Sequence, residues 1–141
     1  MEPSPVMVVQ ASVPLRRINY EAESRFTFAT SKVRPEGKAA LDAFAIELAG
    51  THPDNITVEG HTDRLGSAEF NQKLSIQRAE AIKNYLVQVR GLDGSKISAV
   101  GLGEGRPLTK PGNCKGNGQT SKLIACLQPD RRVEIEVSCT C

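Results

Sequence analysis

The stretch Ile56-Thr57-Val58-Glu59-Gly60-His61-Thr62-Asp63-Arg64-Leu65-Gly66-Ser67 decides the reading of the chain, because its periodicity changes along its length. Ile56 and Val58 alternate with polar neighbours, the signature of a short half-buried strand ending near Gly60. His61 to Gly66 is polar and turn-like. From about Ser67 the spacing becomes helical: Ala79, Ile82, Leu86 and Val89 recur at intervals of three and four, and Gly91 ends a helix that reaches Arg90. A strand, a polar loop and a long helix therefore follow one another.

Reading outward, Pro35 suits the first position of an earlier helix, where its missing N–H is not needed. Leu41, Phe44, Ala45 and Leu48 give that helix its apolar stripe, and Gly50 is its stop. Before it, Ile18, Tyr20, Ala22, Phe26 and Phe28 fall on one face of a long strand. Downstream, Lys96 to Gly101 makes a third strand and Arg132 to Ser138 the last. In the last strand Val133, Ile135 and Val137 face inward, while Glu134 and Glu136 face water. The order is β-α-β-α-β-β, with an insert before the final strand. Strands with one apolar face take their helices on that face. The expected fold is therefore an α/β two-layer sandwich: a mixed four-stranded sheet with helices on one face and the other face open. Residues 1–15, with Pro3, Pro5 and Pro14, read as a linker or flexible arm, residues 16–138 as the domain and residues 139–141 as a tail.

Composition narrows the function. A chain of 141 residues is long enough for one core, and 39% hydrophobic with 24% charged residues is ordinary for a globular domain. A net charge of +2 and 4% aromatic residues argue against a nucleic-acid partner. No apolar run approaches the roughly 20 residues of a membrane helix. The early run Val6 to Val9 is too short and lacks the basic flank of a signal peptide. Either the chain is cytosolic or it is a piece of a larger exported protein, and the Pro-containing start after Met1 favours the latter reading.

Cys114 and Cys126 flank a Gly/Asn/Lys-rich insert, and Cys139 and Cys141 stand at the end. The even count is compatible with disulfides, with buried free thiols as the alternative. A bridge closing the 114–126 loop would contribute roughly 3 kcal/mol in the chain-entropy model and would imply an oxidising compartment. Cys139 and Cys141 are too near each other for an unstrained bridge, so free or intermolecular thiols are the reading there.

The second helix carries the chemistry. Its inward stripe, continued toward the N-terminus, meets Arg78 on its flank, then Ser75 and Asn71, so the inner face is apolar in one half and polar in the other. A half-buried arginine needs a partner, because an uncompensated charge there costs several kcal/mol. One reading is a structural ion pair, with Asp42 or Glu80. The other is a ligand site at the mouth of the helix. Asp63 follows the second strand, where sheet-and-helix proteins often place ligands. It is equally a turn or capping residue. An acid, an arginine and free backbone N–H groups at a helix start suit a zwitterionic ligand. His61, Asp63 and Ser75 lack the strained turn of a nucleophilic serine, so no enzyme is expected. His52, Asp54 and His61 lack metal-ligand spacing, and neither metal nor cofactor is expected. Gly101-Leu102-Gly103-Glu104-Gly105 reads as a turn rather than a phosphate loop. Asp130-Arg131-Arg132 is either a surface charge cluster or a device that aims Arg131 at the same mouth.

At these residues the chain resembles the OmpA-like family. The matching segments are Glu59-Gly60-His61-Thr62-Asp63-Arg64-Leu65-Gly66-Ser67, Asn71-Gln72-Lys73-Leu74-Ser75 with Arg78-Ala79, Ile97 to Glu104, and Asp130-Arg131-Arg132-Val133-Glu134-Ile135. The similarity runs from Phe26 to Val137 and is strongest to the subgroup of C-terminal domains joined to outer-membrane barrels. It implies a periplasmic domain that binds peptidoglycan without catalysis and anchors the outer membrane to the cell wall. The implied ligand is the diaminopimelate of the stem peptide, held by Asp63 and Arg78, with Thr62, Asn71 and Arg131 lining the pocket. In that subgroup the cysteines matching Cys114 and Cys126 form a disulfide. The implied partners are peptidoglycan and an outer-membrane barrel or porin in the full-length protein; the open sheet face and terminal thiols motivate a second reading of pairing with porins or as a homodimer. Many members carry Asp or Asn after the first strand's Phe, where Ala29 follows Phe28 here.

Overall fold

A four-stranded mixed sheet, β1-β4-β2-β3, organises the molecule. The strands are β1 (Val13–Glu21), β2 (Asn55–His61), β3 (Ile97–Gly101) and β4 (Arg132–Cys139). The computed structural model describes residues 13–21, 25–26, 30–48, 53–110, 112–116 and 118–139. β4 runs antiparallel to both β1 and β2, whereas β2 and β3 are parallel and joined by a helical crossover. Helix α1 (Pro35–Leu48) precedes β2, α2 (Ala68–Gln88) forms the crossover, and a short α3 (Ser121–Cys126) lies in the insert before β4. The order and the two-layer arrangement are those expected, with α3 added. Its Thr120 N-cap accepts from the backbone N–H of Leu123.

The inner face buries Ile56 and Val58 of β2, Val133, Ile135 and Val137 of β4 and Ile97 of β3 against Leu41 and Phe44 of α1 and Ala79, Ile82 and Leu86 of α2. Tyr20 closes the β1 end: its hydroxyl donates to the Gly37 carbonyl at 2.6 Å, and its ring meets Phe26 edge-on at 5.9 Å.

Several boundaries differ from expectation. β1 begins at Val13 and ends at Glu21, so Phe26 lies beyond it in an isolated bridge to Val33, and β4 reaches Cys139; Pro14 sits on an edge strand next to a register shift. Val89 does not continue the α2 stripe; it is 59% exposed, because the helix ends at Gln88 and Gly91, at φ 72°, turns the chain back. Glu134 does not face open water. Its side chain is only 12% exposed and accepts from Arg132 Nε at 2.6 Å on the sheet face without helices. Residues 1–12, Ala22, Phe28, Ala29, Gly50, His52, Thr140 and Cys141 lie outside the described residues, as do the side chains of Ile18 and Cys139. Among the described residues no helix is long and apolar enough to cross a membrane.

Two glycines bring α2 onto the sheet. Gly60 of β2 and Gly101 of β3 are paired in register. A Cβ on Gly60 would stand 2.1 Å from the Ser75 carbonyl oxygen, and one on Gly101 would stand 2.4 Å from the Ile76 side chain. The helix backbone thus rests directly on the sheet at Ser75, which is why its inner face turns polar there: no large side chain fits.

Candidate functional site

The close approach of α2 sets its N-terminal half against the loop that leaves β2. Ser75 is fully buried; its hydroxyl donates to the Gln72 carbonyl and accepts from the Gly103 N–H at 3.1 Å. The Gly103 carbonyl in turn accepts from the Thr62 N–H at 2.9 Å. Gly103, at φ 57°, therefore forms a turn that braces the Thr62–Asp63 segment, as its sequence suggested. Asn71 ties the same loop down: its side-chain amide donates to the carbonyls of Asp63 and Leu65 and lies 3.3 Å from a Glu104 carboxylate oxygen. Ser67 caps α2 by accepting from the Phe70 N–H.

Asp63 is both a turn residue and an ion-pair partner. One carboxylate oxygen accepts from the Leu65 N–H at 3.0 Å, and the other meets Arg131 Nη1 at 2.5 Å. Arg131 also donates to the Ile124 carbonyl at 3.0 Å. The three residues Asp130, Arg131 and Arg132 separate completely. Asp130 turns inward to accept from the N–H groups of Leu108 and Thr109, Arg131 reaches the Asp63 loop, and Arg132 goes to the helix-free face. Arg131 thus takes the second of its two expected roles.

Arg78 takes neither of its suggested ion-pair partners. Asp42 accepts from the Tyr85 hydroxyl at 2.7 Å and sits 3.9 Å from Arg90, and Glu80 is exposed. Arg78 is only 6% exposed; its Nε donates to the Thr30 carbonyl at 2.7 Å and its guanidinium lies 4.9 Å over the Phe26 ring. Among the described residues no carboxylate pairs with it. Burial, and then the charge of Arg131, lower its pKa to about 10, which leaves it cationic at neutral pH.

These groups line one cleft of about 380 Å³. Asp63, Arg78, Arg131, Thr62 and Asn71, the five residues selected from sequence, all border it. The apolar wall was not foreseen: Phe26, Leu65, Phe70, Leu74 and Ile124 supply it. Phe70, 52% exposed in the first turn of α2, was legible as an aromatic off the inward stripe. Gln119 and Ile124 come from the insert, and nothing local in sequence placed it here. The insert is held by the Cys114–Cys126 disulfide, with Cα atoms 5.7 Å apart, and by a 2.8 Å hydrogen bond from Arg64 to the Cys114 carbonyl. The bridge, not the free thiols, is the arrangement of this pair. Backbone donors at the helix start are partly used already, Leu65 by Asp63 and Phe70 by Ser67. His61 and Ser75 do not meet: Gly60 presses its inner face on Ser75, and His61, the next residue, points to the opposite face.

The cleft, with one acid, three arginines (Arg34, Arg78 and Arg131) and an apolar wall, lies at the end of the β-α-β crossover of an open α/β domain. Residues 25–121 match the OmpA family, and the chain belongs to that family. It is 41% identical to outer membrane protein A of Shimwellia blattae over 136 residues, which is 95% of this chain and 56% of that protein. The chain thus spans just over half the length of that relative. Among solved structures it is similar to the OmpA-like domain of FopA1 from Francisella tularensis, with TM-score 0.62 and 25% identity over 94% of this chain and 83% of that one. It is also similar to the peptidoglycan-associated lipoprotein of Burkholderia pseudomallei, with TM-score 0.60 and 25% identity over 85% and 88% of the two chains.

Proposed function

We propose that the domain binds peptidoglycan without catalysis, through the diaminopimelate of the stem peptide, and so ties the outer membrane to the cell wall. The observation that carries this reading is Arg78: a buried guanidinium without a carboxylate partner among the described residues, facing a cleft that also holds Asp63. A carboxylate brought by a ligand compensates Arg78 in a site shielded from water, where a charge-assisted pair is strongest. Asp63 retains acceptor capacity beside Arg131 for an ammonium group. Diaminopimelate carries both groups on one carbon, and lysine lacks that carboxylate. Thr62, Asn71 and Arg131 shape the pocket, Asn71 mainly by holding the loop. Membership of the OmpA family and likeness to a peptidoglycan-associated lipoprotein support the wall as the source of the ligand.

The Cys114–Cys126 bridge fits an oxidising compartment, and the periplasm is the proposed location. The proposed membrane partner, a barrel or porin, would lie in sequence beyond this chain, since the relatives named outer membrane protein A are longer.

Calorimetry with a diaminopimelate-containing stem peptide, and the lysine-containing peptide as control, tests the reading. Selective binding that disappears in Arg78→Ala is the expected result. Equal heats for both peptides, or none at millimolar peptide, would remove diaminopimelate as the ligand.

A further inference from the structure

The helix-free face of the sheet holds a second polar constellation. Glu59 of β2 stands directly opposite Glu134 of β4, and His61, two residues along β2, shares their face opposite Arg132. Two carboxylates facing each other across strands repel, and the arrangement needs a cation between or beside them. Arg132 supplies one charge, donating from Nε to Glu134 at 2.6 Å; its other nitrogens bind the carbonyls of Asp130 and Arg106. His61 is the unexplained member. It is 2% exposed, and neither ring nitrogen has a hydrogen-bond partner. Its Nε2 points at Glu59 Oε1 from 3.6 Å, beyond hydrogen-bond length. A buried imidazole with both nitrogens unsatisfied is rare, since buried polar atoms are almost always partnered.

We propose that Glu59, His61 and Glu134 form a binding site for one divalent transition-metal ion of the zinc class. One donor atom from each residue lies within 4.8 Å of the other two. Ligands about 2.1 Å from a tetrahedral ion stand roughly 3.4 Å from one another, so the Glu59–His61 spacing of 3.6 Å is already close to that of two ligands. One imidazole with two carboxylates selects zinc, cobalt or nickel over calcium and magnesium, which take oxygen ligands alone. Arg132, through its hydrogen bond to Glu134 Oε2, would orient that carboxylate, as partners of metal-bound carboxylates commonly do. Three protein ligands leave the fourth position for water.

Titration of the 141-residue chain with Zn²⁺ against a chromophoric chelator, without reductant, tests the site. The expected result is one ion per chain, lost in His61→Leu and weakened at least tenfold in Glu59→Gln. The His52→Ala and Cys139→Ser/Cys141→Ser variants should bind as the parent does. Thermal melting of each variant without metal shows that it is folded. Zinc at a hundredfold excess over Kd should raise the Tm of the parent by roughly 5–10 °C and leave that of His61→Leu unchanged. Zinc uptake that persists in His61→Leu, or vanishes with the terminal cysteines, or is absent from the parent, would overturn the proposal.

Discussion

Arg131 reaches across 68 residues of chain to place its Nη1 2.5 Å from Asp63 Oδ2, so the acid at the cleft is already in an ion pair before any ligand arrives. Arg78, its neighbour in the cleft, has no such partner among the described residues. The two proposed ligand contacts therefore respond differently to mutation, although both should abolish binding.

Asp63→Ala should lose co-sedimentation with cell-wall sacculi and also cost about 2–4 kcal/mol of stability. It removes the carboxylate beside the largely buried Arg131 and releases the Leu65 N–H. Arg78→Met should lose the same binding with stability unchanged or raised, because it removes an uncompensated buried charge and keeps an apolar stem over Phe26. Urea unfolding beside the pull-down separates the two. Equal destabilisation by both would show that Arg78 has a structural partner.

Cys114→Ser/Cys126→Ser should lower stability by up to about 3 kcal/mol, the entropy of a short closed loop. It should also weaken ligand binding several-fold, since the insert carries Ile124 and the carbonyl that fixes Arg131. Melting and calorimetry with and without dithiothreitol check both effects on the parent chain.

Gly60→Ala should be among the most damaging single substitutions, at about 3 kcal/mol or more. The new methyl meets the Ser75 main chain, not a side chain that can rotate away. Gly105→Ala, whose nearest contact would be at 3.4 Å, is the matched control and should cost far less. Denaturant midpoints of the two variants decide the matter.

Alkaline pH should destabilise the fold through tyrosine. Burial pushes the Tyr20 hydroxyl well above the ordinary range, only partly offset by Arg25, and the hydrogen bond to Asp42 raises Tyr85. In the unfolded chain both ionise near pH 10, or about that value. Above it the unfolded state binds fewer protons, so the contribution present at lower pH is lost as pH rises. Phenolate absorbance should stay low past that pH until the chain unfolds. A normal titration of either tyrosine in the folded protein would refute this for that residue.

Much of the architecture was legible because it rests on short-range periodicity. Ala79, Ile82 and Leu86 pack as their spacing requires, and Val133, Ile135 and Val137 alternate inward as expected. Val89 broke the pattern because a helix end depends on where the chain reverses, and Gly91 reverses it before the next turn. Alternation assigned Glu134 to the correct face but not its burial there, which depends on Arg132 folding over that face. At the cleft, Asp63 was picked out by its place after β2 and Arg78 by its place on the flank of the α2 stripe, and both line it. The destination of Arg131 and the wall from Gln119 and Ile124 are long-range consequences of how the insert folds back, and local spacing carries no signal for that. The Glu59–His61–Glu134 cluster escaped for the same reason: its members meet across the β2–β4 register, not along one element.

The register of β1 against β4 also sets the direction in which the domain would bear load. Val13 pairs with Cys139 at one end of the sheet and Glu21 with Arg132 at the other, and the cleft lies at the Arg132 end beside Asp63 and Arg131. A tether pulling at Val13 against a ligand fixed in the cleft acts along the strands, over about 26 Å at the usual rise per residue. Tension in that direction shears the whole β1–β4 ladder at once instead of unzipping it bond by bond, the mechanically resistant arrangement.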